Sequence, residues 1–157
     1  MTEQSKAYRW AKFRNGISSV AIVEMDVFPN SQRANEIIEH YSGQGYTSQG
    51  NLEEVPEKGY DSWKIAAKRG LEYAFSLVDN NWTVHVNKVE EGLSTDTTAT
   101  IVGYTMLRAF LDRINFALSD KQIEKLEEFV LSSWTNPYKE LIPDFFSLTF
   151  TESGYDK

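Results

Sequence analysis

Apolar and polar residues alternate from Tyr8 to Phe28, and further along the chain the apolar spacing lengthens to three or four, so two periods divide the sequence into strands and helices. Ala21, Val23, Met25 and Val27 fall on one face of a strand, and Val20, Ile22, Glu24 and Asp26 on the other. Arg14–Asn15–Gly16 has the chemistry of a tight turn, predicting a hairpin between Tyr8–Phe13 and Ile17–Phe28 that ends at Pro29–Asn30. Ala34, Ile37, Ile38 and Tyr41 recur at helical spacing before Gly43 and Gly45, which predicts a short helix over Ser31–Tyr41. Residues 42–60 are rich in Gly, Gln, Ser and Glu and read as an irregular connection with room for one short strand.

The clearest helix starts at Asp61, expected as its cap. It buries Trp63, Ala66, Ala67, Gly70, Leu71, Ala74, Phe75 and Val78. Its small residues suit close approach to a neighbour. Trp82–Val89 alternates as a half-buried strand, and Glu90–Glu91–Gly92 is expected to turn the chain. Ser94, Thr95, Asp96 and Thr97 are candidate caps for a second long helix with Ala99, Val102, Met106, Ala109 and Phe110 on its buried stripe, ending near Arg113. Ser119–Asp120–Lys121–Gln122 is a capping-box pattern opening a third helix with a narrow stripe of Ile123, Leu126, Phe129 and Val130. Phe145, Phe146, Leu148 and Phe150 then dock on the core or form a last strand, and Ser153–Lys157 is expected to fray. The implied fold class is α+β, an α/β two-layer sandwich. A mostly antiparallel sheet of about four strands is packed by two long helices, with a C-terminal helix added.

Composition narrows the function. With 157 residues the chain is expected to form a single domain. Nine Phe, eight Tyr and four Trp supply a core and leave aromatic surface over. The absence of cysteine removes disulfides, thiolate metal sites and cysteine nucleophiles together. No apolar leader follows Met1 and no run approaches a membrane span, so a cytoplasmic protein without membrane contact is expected. A formal net charge of −7 argues against a dominant nucleic-acid surface. One segment runs the other way: Lys6, Arg9, Lys12 and Arg14 interleave with Tyr8, Trp10 and Phe13. Arg9, Lys12 and Arg14 are therefore candidate nucleic-acid contacts, against the simpler reading of an edge strand charged to discourage aggregation.

In order along the chain come Val20–Ala21–Ile22–Val23–Glu24–Met25–Asp26–Val27–Phe28–Pro29–Asn30, then Trp63–Phe75, Thr83–Lys88, and Glu91–Gly92 leading into Thr98–Phe110. In this order Ile17–Phe110 resembles domain IV of translation elongation factor G. The resemblance implies the fold shared with ribosomal protein S five domain 2, a four-stranded sheet with helices on one face and a left-handed crossover. It would place the family-like core at 8–113 and a C-terminal helical extension at 114–157. The chain has no phosphate-binding loop of the form G-x-x-x-x-G-K-[ST], and the segment after Glu91–Gly92 carries no histidine where the family's tip has one. The family's GTPase engine and decoding-site role are therefore not implied.

Candidate chemistry is sparse. His40 and His85 fall on different expected elements without ligand-like spacing, so no metal and no cofactor is expected. His40 sits where a helix C-terminal dipole would favour it. Glu24 and Asp26 share one strand face, and with His85 they form a candidate polar site, against the simpler reading of a solvated sheet face. Glu53–Glu54, Glu90–Glu91 and Glu127–Glu128 read as solvating charges. Ser94, Thr95 and Thr97 are a candidate anion site at a helix start, although capping alone explains them and Asp96 would repel a phosphate. The leading expectation is a non-catalytic module that binds a protein. The alternatives are an RNA- or ribosome-associated accessory domain and a small enzyme of unknown reaction. A homodimer through the first strand or the Ile123–Val130 stripe is a further expectation.

Overall fold

The computed structural model describes residues 6–14, 16–45, 52–92, 97–135 and 138–151. The first hairpin forms in the expected place, from β1 (Lys6–Arg14) and β2 (Ile17–Asn30), in unbroken register from Lys6 opposite Met25 to Arg14 opposite Ile17. Gly16 adopts φ +79°, the left-handed conformation that the turn requires; Asn15 lies outside the described residues.

Ser31–Tyr41 corrects the expected helix. Its core is a short strand, β3 (Glu36–Glu39). The spacing of Ala34, Ile37, Ile38 and Tyr41 fits a helix, but a non-local pairing overrides it. After α1 (Asp61–Ser76) the chain enters β5 (Asn81–Gly92), and β3 lies parallel to it with Ile37 opposite Val84 and Ile38 opposite His85. Asparagine side chains hold the connection ahead of β3. Asn35 Oδ1 accepts from the Trp82 backbone N–H at 2.7 Å, and Asn81 Nδ2 donates to the Gln32 carbonyl at 2.8 Å. The short strand in the 42–60 region is β4 (Leu52–Glu54), antiparallel to β5. That pairing corrects Glu90–Glu91–Gly92 as well. They extend β5 opposite Glu54, Glu53 and Leu52 instead of turning the chain.

Among the described residues the sheet has five strands in the order β1-β2-β5-β3, with β4 also on β5, and only β3 runs parallel to its neighbour. Register between β2 and β5 shifts at Glu24/Met25, so Asn87 is an extra residue on β5 and the face of later residues changes. Val84, Val86 and Val89 are consequently all buried on the helix side, with Ala21, Val23 and Met25 of β2.

α2 (Ala99–Arg113) lies against β1 and β2 and beside α1. It is capped by Thr98, whose hydroxyl accepts from the Ile101 N–H at 3.1 Å. Asp61 is not the cap of α1 but its first helical residue; Tyr60 precedes it in the left-handed region at φ 57° and makes no side-chain cap bond. α3 (Asp120–Ser132) opens with the expected capping box, in which the Ser119 and Gln122 side chains bond reciprocally to backbone N–H groups. A 3-10 turn (Tyr138–Glu140) leads to a hairpin of β6 (Ile142–Asp144) and β7 (Thr149–Thr151). Phe145 docks in the core and Phe146 points to solvent. The C-terminal region thus adds a small sheet to its helix.

Because sheet, α1, α3 and the β6–β7 hairpin all meet α2, that helix is buried nearly all round, from Ala99 through Leu107 without a break. Burying Leu107 or Phe110 contributes about 2 kcal/mol each. α1 and α2 cross through two glycines. A Cβ built on Gly70 would stand 2.0 Å from the Gly103 carbonyl oxygen, and one on Gly103 would stand 2.6 Å from the Ala66 carbonyl oxygen. Both clashes are with backbone, so no side-chain rotation relieves them.

Gly70→Ala is expected to destabilise the fold by about 3 kcal/mol or to abolish it, measured as a fall in urea midpoint. The Thr100 hydroxyl is fully buried and meets no hydrogen-bond partner among the described residues. Thr100→Val keeps the shape and removes the stranded oxygen, so thermal unfolding should show a gain of about 1 kcal/mol.

Candidate functional site

The strand pleat places Glu24, Asp26 and Phe28 of β2, together with His85 of β5, on the side of the sheet away from the helices, which is open among the described residues except at Val20, buried at 3% exposure. The three residues of the candidate polar site are thus neighbours. Each is already engaged. Glu24 pairs with Lys88 at 3.7 Å, Asp26 accepts from Asn87 Nδ2 at 2.9 Å, and His85 Nδ1 lies 2.8 Å from His40 Nε2. His40 follows β3 and not a helix end, which corrects its expected dipole role: it stacks on His85 with ring centroids 5.1 Å apart and planes 12° apart. The contact needs one ring to donate and the other to accept, so at least one imidazole is neutral. Phe28 meets the far side of His85 edge-on at 5.8 Å. Sequence reasoning missed this histidine pair because only the parallel β3–β5 register brings residues 45 positions apart together.

Among the described residues no three His, Cys, Asp or Glu side chains are grouped to hold a metal ion. Clefts lie elsewhere. One of about 520 Å³ is lined by Tyr8, Met25, Trp82, Asp112 and Arg113, and one of about 550 Å³ by Ile37, Lys68, Glu72 and Phe75. Glu90, beside Glu24 and Glu54 on the sheet, has its carboxyl raised above the usual range by burial, with Lys88 opposing and the two carboxylates adding to the rise.

The basic strand is divided by its pleat. Tyr8, Trp10, Lys12 and Arg14 alternate onto the helix side, while Arg9 and Phe13 lie on the uncovered side. Arg9, Lys12 and Arg14 therefore share no single surface. Lys12 is spent internally, on a carboxylate read in the sequence as solvating. Glu127 of α3 accepts from Lys12 Nζ at 3.1 Å, Tyr104 Oη at 2.8 Å, Trp10 Nε1 at 3.3 Å and Arg108 Nη1 at 3.3 Å, and its side chain is 13% exposed. Arg108 Nη1 also donates to Tyr104 Oη at 2.6 Å. This network ties β1, α2 and α3 together. Burial alone would push the Glu127 carboxyl up, but the hydrogen bonds from Tyr104, Lys12 and Trp10 and the Lys12 charge outweigh it and hold it below the ordinary range. Burial pushes the Tyr104 hydroxyl up, so it stays protonated and donates. A second carboxylate taken for a solvating charge, Glu53, accepts a hydrogen bond from the Tyr60 hydroxyl.

Of the candidate anion site, Ser94 and Thr95 lie outside the described residues, as does Asp96. Thr97 is buried, its hydroxyl 3.5 Å from the Thr98 carbonyl oxygen. Among the described residues no helix is long and apolar enough to cross a membrane. In comparisons with known proteins, no family model and no curated protein matches the chain.

Glu127→Gln is expected to cost about 2 kcal/mol at neutral pH, since the hydrogen bonds it accepts are charge-assisted. Its folded carboxyl titrates below the ordinary 4.5, so its stabilisation is complete above that value and is lost as pH falls through the lower folded value. Denaturant titrations of wild type and variant should therefore differ at pH 7 and converge in acid.

Proposed function

We propose that this chain is a non-catalytic binding domain, working in the cytoplasm, whose partner is a protein. The observation that carries the reading is the uncovered side of the five-stranded sheet, where Phe13 is 74% and Phe28 42% exposed. The exposed Phe28 ring beside the stacked His40–His85 pair, with half-buried Ile22 and Ile38 on the same side and Phe13 towards the hairpin turn, provides the apolar and hydrogen-bonding mixture of a protein interface. The polar groups that an acid–base reaction would need are tied to each other, which supports binding over catalysis.

An RNA- or ribosome-associated role, in keeping with the resemblance to domain IV of elongation factor G, draws on the basic strand. The division of Arg9, Lys12 and Arg14 between two faces and the engagement of Lys12 by Glu127 weigh against it. A homodimer through β1 would set two basic strands side by side, and like charges on adjacent strands repel.

The test is affinity capture from cytoplasmic lysate with and without nuclease, using wild type and a Phe13→Asp/Phe28→Asp double variant of unchanged circular dichroism. Recovery of a defined protein that survives nuclease and is lost with the double variant is the expected result. Recovery of ribosomal components alone, released by nuclease, would replace this reading with the RNA one.

A further inference from the structure

β1 ends the sheet. Nine residues long, free of Pro and Gly and in unbroken register with β2, it has no strand on its outer edge among the described residues. Such an edge presents a row of backbone N–H and C=O groups ready to accept another strand. Natural edges are usually blunted by bulges, proline, charged side chains or covering loops; β1 has no bulge and no proline, and its charges, all of one sign, repel a like strand and leave an acidic one free to pair. From this edge and its charges, we infer that β1 is the docking strand for an extended acidic peptide segment of a partner protein, added to the sheet as a further strand. The inference rests on the protein-binding reading above and names the chemistry of the partner.

Charge complementarity selects the occupant. Arg9 and Arg14 are exposed and have no ion-pair partner within 4.0 Å among the described residues, in a chain whose formal net charge is −7. Two uncompensated guanidinium groups at one free edge attract carboxylates, and a second copy of the same strand would bring more guanidinium groups instead. A phosphate backbone could meet the charges but not the ladder of backbone donors and acceptors, which only another polypeptide strand completes.

Side-chain alternation then sets the pattern. Arg9 projects to the uncovered face, and Arg14 to the helix face five residues along the strand. Tyr8, also on the helix face, lines a cavity of about 350 Å³ whose wall is apolar at Leu111, Phe116, Leu118 and Ile123 and charged at Arg108 and Asp112. An antiparallel partner strand therefore places one carboxylate opposite Arg14, a second opposite Arg9, and an apolar residue next to the second, opposite Tyr8 beside the cavity. That order reads acid, four residues of either kind, acid, apolar.

The experiment uses the full chain and a synthetic peptide carrying Glu-Thr-Val-Thr-Val-Glu-Leu, with a Lys-for-Glu peptide and oligouridylate RNA as competitors. Fluorescence anisotropy reads the affinity, and amide hydrogen exchange reads the site. Expected are slowed exchange in β1, weaker binding of the Lys-for-Glu peptide, and a loss of about tenfold in the Arg9→Glu/Arg14→Glu double variant. Because both arginines are exposed, the variant should keep the wild-type circular dichroism. The charge-swapped peptide tests the same point on the unaltered protein. Equal binding of both peptides, no protection in β1, or displacement of the acidic peptide by RNA would overturn the inference. If β1 stays unprotected while the captured protein protects Ile22, Phe28 and His85, the docking strand fails and the binding-domain reading stands. If neither ligand protects any part of the sheet, both fail.

Discussion

The fold depends on two backbones touching. Where α1 crosses α2, Gly70 and Gly103 leave no room for a side-chain atom, and the helices approach until carbonyl oxygens occupy the space of the missing Cβ groups. This contact brings α1 alongside α2 while α2 lies on the sheet, so one helix becomes the axis around which the other elements pack. It also explains why α2 carries Thr100, Gly103 and Thr105 among its buried residues. A helix enclosed on nearly every side has no face left to be polar, and small or back-bonded side chains are what a tight enclosure accepts. Thr105 returns its hydroxyl to the Ile101 carbonyl at 2.8 Å.

A second constraint, the Glu127 network, decides what the C-terminal region does. Without it α3 would present a narrow apolar stripe of Leu126, Phe129 and Val130 to the core and little else. With it, one carboxylate joins α3 to Trp10 and Lys12 of β1 and to Tyr104 and Arg108 of α2. The third helix and the first strand are thereby held as parts of one body, although they lie far apart in the sequence. The helix side of β1 is braced at its middle, while its outer edge carries no strand among the described residues.

These constraints together shape the surface available for function. The three α-helices of the described residues all contribute to the core on one side of the sheet, and none of them covers the opposite side or the outer edge of β1. On that side polar groups bond one another in pairs, Glu24 with Lys88 as an ion pair and Asp26 with Asn87 and His85 with His40 through hydrogen bonds. Among the described residues, the exposed Phe13 and Phe28 rings and Arg9 lie on that side as well.

Local pattern was enough for the elements whose stabilising contacts are near in sequence. The β1–β2 hairpin, α1 with its buried small residues, the reach of α2 to Arg113 and the capping box of α3 were all legible, because alternation, helical period and cap chemistry are short-range properties. The α+β class follows from them. The period of Ser31–Tyr41 is ambiguous over so short a run and fits a helix as well as a strand, and Ile37 and Ile38 are strand residues only by virtue of β5 beside them. The same long-range pairing created the His40–His85 contact and turned Glu90–Gly92 into strand. Glu127 looked like any helical surface charge until folding placed four donors around it. Residue spacing along the chain encodes the period of each segment and therefore its preferred local form. Which segment pairs with which, and which charge is enclosed, depends on contacts between residues distant in sequence, and those exist only once the tertiary structure has formed.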